Sequence, residues 1–499
     1  MRQTRIIMSV IHSKSQAIPF ESEKTCTDPI YLITQFFLPK DSRRQKEVQY
    51  CLRKNCENPW IDTIYLLNEK IYSEKELGVT SKHMEKIQQI NIAKWIEFYD
   101  VFACIETQNI HGFVVITNSD IMLDYAHIEK LHYSQLRASK QMIALLRYEY
   151  NDVYVPFETN CDQSPLFGPR GDSQDTWIIH SDQNIPANYR AIFQFPFGKP
   201  GCDNKMIFLF RFLGYEVYND PLNMKTYHFH RSNQRNYSAK DRLNPMFEYM
   251  CPYGLEDRVY PHVPQYTRNY TQWNFPDNRM FRNILTELVK DMEDTPFVIP
   301  AVDNVHFNGL RYDEVFGNCR YYFSRDVYNE SMKDYLESEN YVISLHPNLT
   351  KIWENLRYIP YFIFHEAWTL AFANKRICVI SPYANQFKEK YSPEAYPIPV
   401  FFPTTTFEFL EWNTKKDPTI EHKRIRQQLQ VKRDEYDVVF VDAGDYTNML
   451  ACDAYRLEKS ALSIGNGLSL MFGMYTQAHV KRHGDFFRGF LNEHWVKLD

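Results

Sequence analysis

No apolar run in this chain approaches the roughly 18 to 20 residues that cross a bilayer. The opening MRQTRIIMSVIHSKSQ also lacks the apolar heart of a signal peptide, so a cytoplasmic protein without a transmembrane segment is expected, or one in the host cytoplasm if the source is viral. Ten cysteines in 499 residues are scattered without CxxC spacing, which argues for reduced thiols rather than a disulfide framework or a zinc site. The net charge, 57 − 62 = −5, supplies no electrostatic reason to bind nucleic acid or an anionic membrane. Nor does GxGxxG follow the first strand-like segment, so a dinucleotide cofactor is not expected.

What is abundant is aromatic: 35 Tyr and 35 Phe bring aromatics to 16%, enough to line clefts that stack on the rings of sugars or bases as well as to fill cores. The length is too great for one ordinary core. The pattern divides into α/β segments at 1–245, an irregular proline-rich connector at 246–294 and a second α/β region at 295–499. The first 25 residues read as a ragged lead-in. Then Tyr31–Leu38, Ile61–Leu67 and Phe113–Thr117 read as strands, separated by helices over Arg43–Cys56, capped by Asp41 or Ser42, and Ala93–Ile105. Strand, helix, strand, helix, strand is the signature of a parallel, Rossmann-like sheet.

The stretch that organises the rest is GFVVITNSDIMLD, Gly112–Asp124. Its apolar, β-branched run breaks into Asn118, Ser119 and Asp120, which delivers a carboxylate to the carboxyl end of a core strand, where ligands of open α/β sheets collect. A carboxylate placed there suits a hard divalent cation that bridges phosphates, and it should contribute little to the core. Further on come ALLR with Arg147, SQDTW with Asp175, GKPGCDN with Lys199 and Asp203, an amphipathic helix from Met206, and KTYHFH, whose alternation turns His228 and His230 the same way. Taken singly these are ordinary: Asn-Ser-Asp is turn chemistry, Asp203 sits where a helix N-cap belongs, and paired histidines are usually satisfied polar groups. Their order within one predicted α/β domain is what points to a site.

NSDI, ALLR, SQDTW, GKPGCDN and KTYHFH, over roughly residues 28–238, resemble a GT-A-fold glycosyltransferase domain of the kind found in bacterial surface-polysaccharide enzymes and in glycosyltransferases of large DNA viruses. The resemblance implies a mixed α/β sheet, a nucleotide-diphosphate sugar donor, a glycan acceptor and Mn²⁺ or Mg²⁺. Asn118-Ser119-Asp120 stands at the DxD-like metal motif, with Asn118 in place of its first acid. Asp120 becomes the metal ligand, with His228 or His230 as a further one. Asp203 takes the position of the catalytic base of inverting enzymes, with Asp175 as second candidate. Gln35, Glu69, Asn118, Ser119, Arg147 and Lys199 are the donor-binding candidates. Glycosyl transfer needs these groups: a cation for the departing diphosphate and a base for the acceptor hydroxyl.

In the second region, FHEAWTLAFANKRICVISPY, YDVVFVDAGDY, KSALSIGNGLSLMFG and FLNEHWVK resemble a polysaccharide-biosynthesis domain related to GT-D glycosyltransferases. Expected strands are Phe297–Val302, Tyr341–Leu345, Arg376–Ser381, Val438–Val441 and Ala461–Ile464, with helices over Tyr361–Ala373 and Ile420–Val431. The resemblance makes Asp303, His306, Glu366 and Asp445 its site candidates, and His306 stands where those relatives carry a glutamate. Two readings besides a transferase stay open: a glycan- or nucleotide-sugar-binding protein with decayed domains, and a metal-dependent nucleotide-sugar hydrolase.

Overall fold

The structure, a computed structural model, describes residues 11–150, 156–232, 237–243, 247–255, 285–299, 367–392, 397–465, 467–481 and 495–498. The chain divides into two units, Ser9–Asn269 and one that takes in Tyr270–Asp499. Asp303, His306, Glu366 and the expected strand at 341–345 lie outside the described residues.

The first unit is built on a seven-stranded sheet. In chain order its strands are β2 (Ile30–Thr34), β3 (Ile61–Asn68), β4 (Ile87–Asn91), β5 (Phe113–Thr117), β7 (Gln141–Leu145), β9 (Thr176–His180) and β10 (Glu216–Tyr218), laid out as β10-β7-β9-β5-β2-β3-β4. Only β9 runs against its neighbours, pairing antiparallel with both β5 and β7. The chain adds β3 and β4 on one side of β2 and then returns to place β5 on the other. This reversal is a topological switch point, and the loops that leave β2 and β5 there define the crevice where a ligand belongs.

Helix α1 (Ser42–Glu57) covers the sheet. Asp41 caps it, its carboxylate accepting from the backbone N–H groups of Arg43 and Arg44 at 2.9 and 3.0 Å. Val48 and Leu52 on its inner face join Leu32, Leu66, Val115 and Ile178 in one buried cluster. Each such side chain contributes about 1.5–3 kcal/mol through removal from water.

A second, three-stranded sheet stands at the same edge, in the order β6 (Ile121–Leu123), β11 (Thr226–His228), β8 (Tyr148–Glu149). Asn55 of α1 holds β6: its Nδ2 donates to the Ile121 carbonyl at 2.8 Å, and its Oδ1 accepts from the Leu123 N–H at 3.0 Å.

Several sequence expectations need correction. The lead-in is not ragged throughout, because β1 (Ile11–Lys14) pairs in parallel with β12 (Glu248–Cys251), itself within the stretch read as irregular. The strand expected to reach Leu38 stops at Thr34. Beyond it the Phe36 N–H donates to the Asn68 side chain at 2.9 Å instead of continuing the ladder. The segment around SQDTW runs straight into β9, so Asp175 sits immediately before a core strand.

The second unit carries a five-stranded, wholly parallel sheet in the order β13 (Val298–Ile299), β17 (Ser460–Ser463), β16 (Val438–Val441), β14 (Arg376–Ser381), β15 (Thr406–Glu411). The edge strand β15 escapes sequence reading because its TFEFLE pattern is largely half-exposed. Helix Pro418–Val431 is capped by Asp417. Of the expected helix at 361–373, residues Trp368–Phe372 form a short 3₁₀ turn. Asp445 lies in the turn Gly444–Tyr446 directly after β16.

Candidate active site

Strand ends bring the site together. β5 and β7 end, and the antiparallel β9 begins, at one edge of the sheet, so Asn118, Arg147 and Asp175 become neighbours: Thr117 faces Thr176, and Leu145 faces Thr176 from the other side. Asp120 follows two residues after Asn118 in the tight turn into β6.

Asp120 is buried, and three groups converge on its Oδ2: Arg44 Nη2 at 2.5 Å, His228 Nε2 at 3.2 Å and His230 Nδ1 at 3.6 Å. Burial opposes its ionisation, but His228 and Arg44 outweigh that and hold the carboxyl well below the usual range. Burial likewise works against a charge on His228. Asp120 and Glu149, at its two ring nitrogens, nevertheless raise it to about 9. His230 goes the other way, lowered by burial and by Arg44, which leaves a neutral imidazole at pH 7.

From here a ring of polar side chains closes on itself. His228 Nδ1 lies 3.0 Å from Glu149 Oε2, and Arg147 Nε donates to Glu149 Oε1 at 2.9 Å. Arg147 Nη1 donates to Asp175 Oδ2, and Asn118 Nδ2 donates to Asp175 Oδ1 at 2.8 Å, which returns the ring to the Asp120 turn. Arg147 also donates to Ser173 Oγ at 2.9 Å, and its guanidinium lies 4.0 Å from the Phe167 ring centre. It is a buried member of this framework.

Asp203 joins the ring from the side. The sequence placed it at the N-cap of its helix, but the cap is Gly201, at a φ of 89° that suits only glycine, and Asp203 lies in the first turn of the helix Cys202–Phe212. Its carboxylate accepts from the N–H groups of Gln174 at 3.3 Å and Asn204 at 3.1 Å. Burial first, and then the neighbouring negative charge of Asp175, push it up to about 7. A carboxylate that exchanges its proton near neutrality is what a general base requires. Asp175, the second candidate, has both carboxylate oxygens engaged, by Arg147 and by Asn118.

The remaining candidates are placed as follows. Gln35 is buried and pins a loop, its Nε2 donating to the Lys94 carbonyl at 3.2 Å and its Oε1 accepting from the Ile96 N–H at 3.3 Å. Glu69, exposed at the end of β3, accepts from the Tyr72 hydroxyl. Ser119 is half-buried in the Asp120 turn. Lys199 lies 3.6 Å from Asp241, outside the ring of contacts.

Two residues of α1 that sequence reading passed over belong to the site. Arg44 bridges Asp120 and Glu47, at 2.5 and 3.2 Å. Glu47 in turn accepts from the N–H and hydroxyl of Ser232, both at 2.8 Å, which fastens the segment after His230 to the helix. The signal was present: Arg44 and Glu47 share the buried face of α1 with Val48 and Cys51, and charge on an apolar helix face calls for a partner. Arg44→Ala leaves Asp120 and Glu47 without their guanidinium. A loss of about 3–5 kcal/mol in urea-unfolding stability is expected.

The donor set Asp120, His228 and His230, whose ligand atoms lie within 4.8 Å of one another, fits a divalent ion. An ion would take the place of the proton on His228 Nε2, while Nδ1–H stays on Glu149.

No protein-family model matches the chain, and no curated protein matches it in sequence. In structure it is similar to the mannosyltransferase PcManGT from Pyrobaculum calidifontis, solved with GDP-Man and Mn²⁺, at 10% identity and a TM-score of 0.29, covering 44% of this chain and 62% of that one. It is also similar to GalNAc-T7, solved with UDP, GalNAc and Mn²⁺, at 9% identity and a TM-score of 0.27, over 42% of this chain and 46% of that one. HddC from Yersinia pseudotuberculosis is similar at 14% identity and a TM-score of 0.25, over 40% of this chain and 93% of that one. The chain thus spans less than two thirds of the mannosyltransferase and of GalNAc-T7. What the site does is read from its own residues.

Proposed function

We propose that the first unit is a glycosyltransferase that moves a sugar from a nucleotide-diphosphate donor to a hydroxyl of a glycan acceptor, with inversion at the anomeric carbon. The observation that carries this reading is the pairing, on one sheet edge, of an Asp-His-His donor set with a carboxylate pushed up to about 7. Asp203 accepts the proton of the acceptor hydroxyl as that oxygen attacks, and a single displacement inverts the centre. Arg147 and Asn118 hold Asp175 in place, and after burial the charge of Asp175 is the next cause that pushes the Asp203 carboxyl up. Asp120, His228 and His230 would hold the metal, which neutralises charge growing on the departing diphosphate. Two imidazoles and one carboxylate favour Mn²⁺ over Mg²⁺, because Mg²⁺ asks for oxygen ligands. The second unit, with Asp445 in the turn after a parallel strand, is read as a further transferase for the same glycan.

The test is mass balance. With a labelled nucleotide sugar, Mn²⁺ and a panel of oligosaccharide acceptors, label is expected in the glycan in proportion to nucleoside diphosphate released. Release of free sugar at one rate with and without acceptor contradicts the reading and favours hydrolysis.

A further inference from the structure

Met122, Tyr148 and Tyr227 of the three-stranded sheet β6-β11-β8 pack with Tyr150, Phe157 and Phe229 in a small core, and the register decides which residues stand beside them. His228 of β11 is the Cα partner of Ile121 in β6 on one side and of Glu149 in β8 on the other. Asp120 immediately precedes Ile121, and the Phe229 N–H donates to the Asp120 carbonyl at 2.9 Å. His228 and Glu149 therefore stand side by side on adjacent strands, and Asp120, in the turn just before β6, reaches the other nitrogen of the same imidazole. β8 is only two residues long, yet its register is fixed at both ends: the Glu149 N–H donates to the Pro165 carbonyl at 2.8 Å, and the Tyr150 N–H to the His228 carbonyl at 2.9 Å.

We propose that Glu149 is the positioning residue of the metal site, resting on the assignment of Asp120, His228 and His230 as its ligands. A histidine has two ring nitrogens, and the bond made by one decides which way the other faces. Glu149 Oε2, 3.0 Å from Nδ1, holds the proton there and turns Nε2 toward Asp120, 3.2 Å away. The carboxylate is itself held: its Oε1 accepts from Arg147 at 2.9 Å, and Arg147 is anchored by Ser173 and Asp175. Both Glu149 oxygens are thus engaged away from the metal position, which separates its role from that of a ligand. The same chain of contacts leads to Asp175 beside Asp203, so the group that orients the metal ligand and the group that tunes the base share one arginine.

The experiment uses the full chain and follows Mn²⁺ binding by the electron paramagnetic resonance signal of free Mn²⁺, with no donor present. Glu149→Ala is expected to weaken Mn²⁺ about 10–100-fold, the range typical for loss of an orienting partner. Glu149→Gln keeps an acceptor for Nδ1–H and is expected to recover most of that loss. A purely architectural role would lower the unfolding temperature of both variants and leave the Mn²⁺ affinity of the folded protein unchanged, and that result overturns the proposal. Should Glu149→Ala fail to fold, Glu149→Gln decides it against Glu149→Leu, which removes the acceptor at similar size: equal affinity in those two overturns the proposal. Asp120→Asn run alongside tells the two levels apart. If that variant binds Mn²⁺ like the unaltered protein, the ligand assignment falls. If it loses Mn²⁺ while Glu149→Ala does not, only the role of Glu149 falls.

Discussion

Asp120→Asn is expected to lose Mn²⁺ binding and to lower transfer about 1,000-fold or more. The second figure follows from a cation that supplies several kcal/mol of charge stabilisation to the departing diphosphate, at 1.36 kcal/mol per tenfold in rate. The substitution also has a structural cost. Asp120 Oδ2 is the shared acceptor of Arg44, His228 and His230, and an amide in its place leaves the buried Arg44 guanidinium with one of its two counter-charges, Glu47. Breaking such a buried pair costs up to about 3–5 kcal/mol, so a lower unfolding midpoint in urea is expected with the loss of activity. Assays therefore need protein shown to be folded at the assay temperature. Unchanged turnover in folded Asp120→Asn would remove Asp120 from the metal site.

Asp203→Asn is the second large effect. Removal of a general base costs about 100- to 10,000-fold, and the loss should fall on kcat while Mn²⁺-dependent donor binding stays intact. If donor binding disappears as well, Asp203 is a donor contact and not the base. In the unaltered protein the base acts ionised, so with the carboxyl pushed up to about 7, kcat/KM should fall tenfold per pH unit below that value and level off above it. The stability consequence has the opposite sense. An acid whose folded-state value is raised contributes stability that is fully present below its unfolded value near 4 and is lost as pH rises through about 7. Above pH 7 the folded protein carries a penalty of about 2–4 kcal/mol for holding Asp203 ionised. Asp203→Asn removes it in exchange for one lost backbone hydrogen bond, because the amide keeps a single oxygen to accept from Gln174 or Asn204. The inactive variant is therefore expected to melt several degrees higher than the active protein at pH 8 and no higher at pH 4, measured by calorimetry.

Local pattern carried a good part of this far. Phe113–Thr117 was readable because four apolar residues and a threonine, mostly β-branched, in an unbroken run suit a buried strand, and the carboxylate after it followed at once. Asp41 announced α1, and the alternation of KTYHFH turned both histidines toward one carboxylate. What local pattern could not carry was pairing across long separations. Arg44 is 76 residues from Asp120, and Glu149 is 79 from His228, and nothing within either segment names the other. Reading Asp120 as a group of little consequence for the core failed for that reason: its counter-charges come from α1 and β11. The cap assignment of Asp203 failed because Gly201 reaches a left-handed conformation that ends the turn one residue before the helix begins. The antiparallel β9 was missed because its run, TWIIH, is short and begins inside a polar cluster.

The most direct test of the metal and donor site is a thermal-unfolding screen of UDP, GDP, dTDP and CMP and their common sugars, each with and without Mn²⁺, on the full chain and on Asp120→Asn. A ligand at 100 times its dissociation constant adds about 2.7 kcal/mol, a rise of about 5 °C or more in a unit of this size. A rise with one nucleotide that needs Mn²⁺ and vanishes in Asp120→Asn is the predicted result, and it names the donor class. No rise with any of them in folded protein, or a rise indifferent to both Mn²⁺ and Asp120, would contradict the account.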